Sequence, residues 1–179
     1  MDQRIINLYD EYIHKPLTRS VFISRLAELT GGMTAAMAIL PMIEVDLSKA
    51  DITTADELFT EYINYAGVQG EMKAYAARPK AENKYKTVIV IHENRGLNAH
   101  IEDVARRVAN AGFLAIAPNA LSPLGRTFAN EDEARAAFRD LKNEDNVMNF
   151  GKAIEYAKSR KDCDGNVGCV GFCWGGAMA

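Results

Sequence analysis

The sequence lacks a long hydrophobic run. No stretch of its 179 residues reaches the roughly 18 consecutive apolar residues that a membrane-spanning helix requires. The nearest candidate, residues 31–45, contains Glu44. A basic region that could begin a secretory signal is also missing, because Asp2, Asp10 and Glu11 place acidic charge near the start. We therefore expect no membrane span and a cytoplasmic location, with the periplasm as the alternative.

The sequence also has no large excess of charge of one sign. Lysine and arginine number 21 against 24 aspartates and glutamates, which gives a net charge of −3. This balance argues against nucleic acid or an anionic membrane as a main partner. Apolar residues make up 48% and charged residues 25%, as is ordinary for a globular protein.

Cysteine is scarce and clustered. Cys163, Cys169 and Cys173 lie within eleven residues. An odd, clustered set is not typical of a disulfide framework, and no spacing typical of a zinc site accompanies it. We expect reduced thiols in an intracellular setting and no bound metal. We interpret Cys169 as a core strand residue and Cys163 as an incidental turn residue.

Hydrophobic periodicity predicts an α/β protein with an N-terminal helical arm. Apolar residues at helical spacing indicate one helix over residues 5–14 and a second that Thr18 caps and Gly31-Gly32 interrupts. We divide the chain into this arm, residues 1–45, and a main α/β domain, residues 46–179. Packing on the main domain is the first expectation for the arm, and a contact with a membrane surface or a dimer partner is the alternative.

Strands and helices alternate along the main domain. The predicted core strands are 87–91 and 113–117, followed by a third strand at 166–170, called the elbow strand because it leads into the turn described below. The predicted helices are 101–109, 131–141 and 146–160. This alternation predicts a mostly parallel sheet with helices on both faces.

Several finer expectations accompany this reading. Residues 55–65 are predicted as a short helix or an irregular connection, and residues 71–77 as an exposed strand. On their helices, Asp103 and Arg106 are expected to face outward with Glu102 and Arg107, and Val147 is expected to face inward.

The most informative motif is Gly171-Phe-Cys-Trp-Gly175, which has the form G-x-nucleophile-x-G. This pattern predicts a sharp strand-to-helix turn with Cys173 at its tip in strained backbone geometry. Glycine is expected on both sides because a Cβ there would collide with the neighbouring strand or helix. The positive end of the following helix is expected to favour the thiolate of Cys173.

A second candidate is the loop that follows the core strand 87–91. It begins His92-Glu-Asn-Arg95, and charged residues here are unusual directly after a buried strand. In open α/β sheets, the loops at the carboxyl ends of the strands build the active site. We therefore expect this loop to face the cysteine turn.

Three stretches in this order resemble the dienelactone hydrolase family (carboxymethylenebutenolidases): residues 90–98, 112–118 and 167–176. The resemblance covers residues 70–179. It implies the α/β-hydrolase fold, a Cys-His-Asp triad and hydrolysis of a small ester or lactone through a thioester intermediate, with no metal or cofactor.

The resemblance also implies roles for individual residues. Cys173 is implied as the nucleophile and Glu93 as the glutamate that contacts the resting thiol and helps to activate it. The backbone N–H groups of Trp174 and Asn94 are implied as the oxyanion donors, which are worth about 3 kcal/mol each in such sites.

The resemblance does not place the substrate-binding residues by motif. We assign Arg95 and His92 to substrate binding, and His92 is also a possible replacement base. Arg126 and Arg135 are further candidates for an arginine that binds a substrate carboxylate.

The family's triad aspartate and histidine follow the nucleophile, whereas His14, His92 and His100 all precede it here. We therefore expect a truncated chain with little hydrolase activity alone and with its elbow strand left as an unpaired edge. A homo-oligomer or pairing with a C-terminal fragment is the expected consequence. A non-enzymatic interaction module and a redox protein that uses Cys173 as a reactive thiol remain alternatives.

Overall fold

The computed structural model describes residues 2–14, 17–43 and 57–179. The chain divides into two compact units, Met1–Asp51 and Ile52–Ala179. The boundary predicted at residue 45 lies outside the described residues. None of the described helices is long and apolar enough to cross a membrane.

The first unit contains three helices with a core of their own. Their bounds are α1 Gln3–His14, α2 Arg19–Thr30 and α3 Met33–Ile43. The Thr18 side chain accepts a hydrogen bond from the Val21 N–H and so caps α2, and Gly31 ends that helix with a φ of 84°. The predicted cap and the predicted glycine interruption are both confirmed. Phe22 and Leu26 are fully buried in this core.

The second unit is a five-stranded sheet with four described helices. The strands are β1 Leu58–Ala66, β2 Glu71–Pro79, β3 Tyr85–Ile91, β4 Leu114–Pro118 and β5 Cys163–Gly171. The helices are α4 Ala99–Asn110, α5 Glu131–Ala137, α6 Asn143–Ser159 and α7 Trp174–Met178, and 3₁₀ turns cover Ser122–Leu124 and Phe138–Asp140.

The sheet is mixed, and the expectation of a mostly parallel sheet is wrong. Its strand order is β1-β2-β4-β3-β5. β3 pairs in parallel with β4 and β5, but β2 pairs antiparallel with both β1 and β4. The predicted parallel core is therefore present, and an antiparallel hairpin extends it on one side.

This hairpin corrects two expectations. Residues 58–66 form β1, where a helix or an irregular connection was expected. β2 is a strand as predicted, but it lies between β1 and β4, so residues 74–77 are buried instead of exposed. The aromatic and β-branched side chains of β1 favour a strand, and the connection of four residues to β2 is short enough for a hairpin.

Helices cover both faces of the sheet, as predicted. On one face, α4 buries Ile101 and Ala105 against Val90 of β3. On the other face, α6 buries Phe150 and Ala153. Alternate residues of β3 serve the two faces, because successive side chains of a strand point in opposite directions.

Two charged residues of α4 are buried where outward positions were expected. Asp103 is 3% exposed and Arg106 is 9% exposed. Asp103 accepts hydrogen bonds from Arg106 and Arg107, and Arg106 also donates to the Tyr75 hydroxyl at 3.3 Å. The hairpin explains this burial, because Tyr75 belongs to β2, which widens the sheet on which α4 packs.

β5 lies at the edge of the sheet, with β3 on one side. Cys169 on this strand is exposed, where a core position was expected. Cys163 was expected to be an incidental turn residue, but it is buried, and its sulfur accepts a hydrogen bond from the Thr87 hydroxyl at 3.2 Å. The inward position expected for Val147 is also wrong, because that side chain of α6 is exposed.

Candidate active site

The carboxyl ends of β3 and β5 lie side by side. Ile91 is paired in register with Gly171, and the Phe172 N–H donates to the Ile91 carbonyl at 3.1 Å. Because the two strands are parallel, the loop after β3 and the turn after β5 leave the sheet at the same edge. The expectation that the His92 loop and the cysteine turn face one site is therefore confirmed at the level of the backbone.

Cys173 occupies the tip of the turn in a strained conformation. Its φ is 52° and its ψ is −113°. Among the described residues, it is the one residue other than glycine that has a positive φ. Such geometry costs about 1–3 kcal/mol and persists only where the surroundings enforce it. The strand ends at Gly171 and α7 begins at Trp174, so the residue between them projects from the sheet.

The two flanking glycines enforce this turn by close backbone approach. A Cβ on Gly175 would lie 2.5 Å from the carbonyl oxygens of Ile91 and His92. A Cβ on Gly171 would overlap the carbonyl group of Gly175. The steric reason predicted for both glycines is confirmed, and the turn is locked against the end of β3.

The thiol of Cys173 is accessible, and its pKa is raised. Burial of part of the side chain is the largest cause, and the negative charge of Glu93 adds to it. The Trp174 N–H donates to the sulfur and lowers the pKa, as do the charges of Arg135 and Arg95. The net direction differs from the expectation of a favoured thiolate, because burial of the side chain outweighs the Trp174 N–H and the two arginine charges.

Three charged side chains from two segments lie within electrostatic reach of Cys173. Glu93 and Arg95 come from the loop after β3, and Arg135 comes from α5. Arg95 also donates to Glu131 at 3.1 Å, which ties the loop to the start of α5. Arg126, by contrast, forms an exposed ion pair with Asp140 at 2.9 Å.

His92 lies inside the protein and does not line the pocket. It is 0% exposed. Its Nε2 accepts a hydrogen bond from the Ala120 N–H at 3.0 Å, and its Nδ1 is 2.5 Å from the Glu93 carbonyl oxygen. Burial lowers the pKa of His92 to about 4. Both ring nitrogens are thus engaged away from the thiol, so His92 is not placed to act as a base or to touch substrate.

An aromatic cluster closes the inner side of the site. The Trp174 ring stacks on His92 with centroids 5.7 Å apart and meets Phe138 edge-on at 4.9 Å. Phe150 of α6 also contacts Trp174, at 6.1 Å. The sequence reading did not assign Phe138 to the site, because its position depends on how the segment after α5 folds back.

Within the described ranges, no three histidine, cysteine, aspartate or glutamate side chains are grouped so that they could hold a metal ion. The site brings together the thiol of Cys173 with the charges of Glu93, Arg95 and Arg135.

Comparison with known proteins identifies the family of the chain. The model of the dienelactone hydrolase family matches residues 72–179. The chain is 48% identical over 85 residues to “Putative hydrolase fragment YghX” of Escherichia coli (strain K12). The aligned region covers 46% of this chain and 73% of that protein. It is 34% identical over 118 residues to the carboxymethylenebutenolidase of Pseudomonas sp. (strain P51), which covers 62% of this chain and 49% of that enzyme.

A solved structure supports the same assignment. The crystal structure named “Putative Dienelactone Hydrolase” from Klebsiella pneumoniae subsp. pneumoniae MGH 78578 aligns with a TM-score of 0.54 and 27% identity, over 66% of this chain and 51% of that one. The chain spans about half the length of the carboxymethylenebutenolidases it matches. The family model covers more than half of the chain, and the chain therefore belongs to the dienelactone hydrolase family.

Proposed function

We propose that Cys173 is the nucleophile for hydrolysis of a small ester or lactone. The observation that supports this most strongly is the strained, accessible thiol at the tip of a glycine-locked turn. A side chain held there projects toward a substrate without further rearrangement. Membership of the dienelactone hydrolase family supports the same chemistry.

The reaction would begin with loss of the thiol proton. The raised pKa of Cys173 keeps the thiol protonated at rest, and the Glu93 carboxylate beside it is a suitable acceptor for that proton. The thiolate then attacks the substrate carbonyl, and a carbon–sulfur bond forms as the alkoxide leaves and takes up a proton. Water cleaves the resulting thioester in a second step.

Two backbone donors are proposed for the negative charge that develops on the carbonyl oxygen. The Trp174 N–H already points at the sulfur of Cys173. The second is the Asn94 N–H, in the loop at the end of the neighbouring strand. Each such donor contributes about 3 kcal/mol to the stability of the transition state.

Arg95 and Arg135 are proposed to bind an anionic group of the substrate. Both lower the pKa of Cys173, so their positive charges lie within electrostatic reach of the reacting sulfur. A small lactone or ester that carries a carboxylate would satisfy both the arginines and the nucleophile. The ion pair between Arg126 and Asp140 makes Arg126 the weaker choice.

The test is the time course of 4-nitrophenyl acetate hydrolysis by this chain. We expect a stoichiometric burst followed by slow turnover, because His92 is engaged at both ring nitrogens and cannot activate the second-step water. Cys173→Ala should abolish the burst. Cys169→Ala, which removes the exposed thiol four residues earlier in the chain, should leave it unchanged. A burst that survives Cys173→Ala would refute the proposal.

One observation favours a second function. In it, the chain is an interaction module that pairs with a C-terminal fragment or with a second copy. β5 ends the described sheet, and Cys169 and Val170 on it are exposed. An uncovered edge strand offers unpaired backbone groups to another chain. Size-exclusion chromatography should show self-association, and a stable monomer would count against this function.

A further inference from the structure

The buried imidazole of His92 connects three segments around the proposed site. Its Nε2 is bonded to the Ala120 N–H in the loop after β4, and its Nδ1 to the Glu93 carbonyl in the loop after β3. Its ring face stacks on Trp174 of the cysteine turn. A buried side chain with all polar atoms satisfied holds its neighbours in a defined geometry.

The hydrogen bonds fix which nitrogen carries the proton. A backbone N–H can only donate, so the bond from Ala120 requires an unprotonated Nε2. In a neutral ring the proton is then on Nδ1, where it donates to the Glu93 carbonyl oxygen. The ring is thus held as the Nδ1–H tautomer, with one donor and one acceptor each matched to a backbone group.

This bond also sets the direction of the next N–H group. The Glu93 carbonyl and the Asn94 N–H belong to the same trans peptide and point in opposite directions. Because the carbonyl is turned inward toward His92, the Asn94 N–H is turned away from the ring. Loss of the bond to His92 would free this peptide to rotate and would misdirect the N–H.

The same ring supports the other proposed donor. Trp174, whose N–H points at the Cys173 sulfur, lies against His92 with the two rings 18° from parallel. Gly175 packs on the His92 carbonyl, so the turn and the loop are in direct contact on this side as well. The His92 side chain therefore contacts Trp174 and the carbonyl group of the peptide whose N–H belongs to Asn94.

We propose that His92 is a positioning residue that aligns the Asn94 and Trp174 N–H groups for the oxyanion, through its Nδ1–H bond to the Glu93 carbonyl and its stacking on Trp174. This inference rests on the proposed function of Cys173. It replaces the substrate-binding role expected for His92 from the sequence.

Three substitutions separate the functions of the ring. His92→Asn keeps an N–H donor near the position of Nδ1 but loses the acceptor for Ala120. His92→Gln keeps an acceptor near the position of Nε2 but loses the donor to Glu93. His92→Phe keeps an aromatic ring against Trp174 and loses both bonds. His100→Gln, on α4, is the matched control.

The kinetic test compares two reactions of Cys173. Acylation by 4-nitrophenyl acetate uses the oxyanion donors, whereas alkylation by iodoacetamide reports only the reactivity of the thiol. We expect His92→Gln and His92→Phe to slow acylation by about 10- to 100-fold, and His92→Asn by less than about threefold, with alkylation nearly unchanged. Equal acylation rates in the Asn and Gln variants would overturn the inference.

Two measurements without chemistry at Cys173 keep the inference testable if the proposed function fails. Nitrogen-15 NMR of the histidines should show His92 as the Nδ1–H tautomer at pH 7, and an Nε2–H tautomer would overturn the inference. Amide hydrogen exchange at Ala120, whose N–H donates to His92 Nε2, should accelerate in His92→Asn but not in His92→Gln. Equal exchange at Ala120 in the two variants would also overturn the inference. If the wild-type chain is not acylated but shows the expected tautomer and exchange pattern, the proposed nucleophile alone is refuted.

Discussion

β3 and β5 are neighbours in register, yet the protein supports them very differently. Val90 of β3 is paired with Val170 of β5. Val90 is 0% exposed between the layers of helices, and Val170 is 37% exposed at the sheet edge. Both strands end at the proposed site, one in the His92 loop and the other in the cysteine turn.

The difference shows how the turn is stabilised. A central strand such as β3 is fixed by packing on both faces and by strands on both sides. β5 has a partner strand on one side, and its turn is instead fixed by close contact of Gly175 with the backbone of Ile91 and His92. The cysteine turn therefore depends on the buried strand beside it more than on its own packing.

The largest expected effect comes from breaking that contact. Gly175→Ala would place a methyl group 2.5 Å from the carbonyl oxygens of Ile91, at the end of β3, and of the buried His92, which cannot move without disturbing the core. We expect a loss of about 3 kcal/mol or more in the free energy of unfolding, measured by urea denaturation.

The matched control for this change is Gly168→Ala on the same strand. A Cβ there meets nothing within 4 Å. Its effect should stay within about 0.5 kcal/mol. Similar losses for both variants would mean that β5 as a whole, and not the contact with β3, limits stability.

The pH dependence of the free energy of unfolding tests the burial of His92 at the end of β3. The pKa of His92 is about 4 in the folded protein against 6.5 for a free histidine, so the unfolded chain binds the proton first as the pH falls. The stability from this group is complete above pH 6.5 and declines toward pH 4, with about 2 kcal/mol lost between pH 7 and pH 5. Urea midpoints across this range should show the loss.

His92→Phe should remove most of that pH dependence, whereas His100→Gln should retain it. The range from pH 5 to pH 7 lies above the pH at which most carboxylates take up a proton. Glu93 is the titratable neighbour of His92 that remains in both variants. An unchanged slope in His92→Phe would show that another group is responsible.

Paired truncations measure the difference between the strands directly. Val90→Ala removes fully buried methyl groups and should cost about 2 kcal/mol, whereas Val170→Ala should cost less than about 1 kcal/mol. Thermal or chemical denaturation of the two variants gives the comparison. A larger loss for Val170→Ala would indicate that another chain covers the edge of β5 in solution.

The smallest effects concern the charges around Cys173. Burial raises the thiol pKa and the Glu93 charge raises it further, so Glu93→Gln should lower it. Arg135→Gln should raise it, because the arginine charge favours the thiolate. The pH dependence of iodoacetamide alkylation reports both shifts, and an unchanged thiol pKa in both variants would show that neither charge acts on the sulfur.

The elements with strong local signals were predictable from the sequence. The run Thr87–Ile91 consists of β-branched residues that only a buried strand accommodates well, and it lies in β3. Glycines at positions 171 and 175 predicted the turn, because a nucleophile between them has a specific steric requirement. A helix start followed where the cap was explicit, as at Thr18.

Features that depend on distant partners were not predictable. The mixed topology arises because β1 and β2 form a hairpin that joins β4, and no local pattern encodes that pairing. Asp103 is buried only because β2 extends beneath α4. Cys169 reads as a core residue by its type, but its exposure follows from the edge position of β5.

The position of His92 was the least accessible from the sequence. Its place beside Glu93 suggested a residue in the pocket, since loops after core strands face the site. Its actual partner, the Ala120 N–H, lies 28 residues further along the chain. Local sequence therefore located the loop, and tertiary contacts decided which of its side chains face inward.

Peptide mass spectrometry after brief exposure to 4-nitrophenyl acetate tests the nucleophile most directly. The chain offers two exposed thiols on one strand and turn, Cys169 and Cys173, and only the second lies at the strained tip. We predict an acetyl group on Cys173 and none on Cys169. Equal labelling of both cysteines, or label on Cys169 alone, would contradict it.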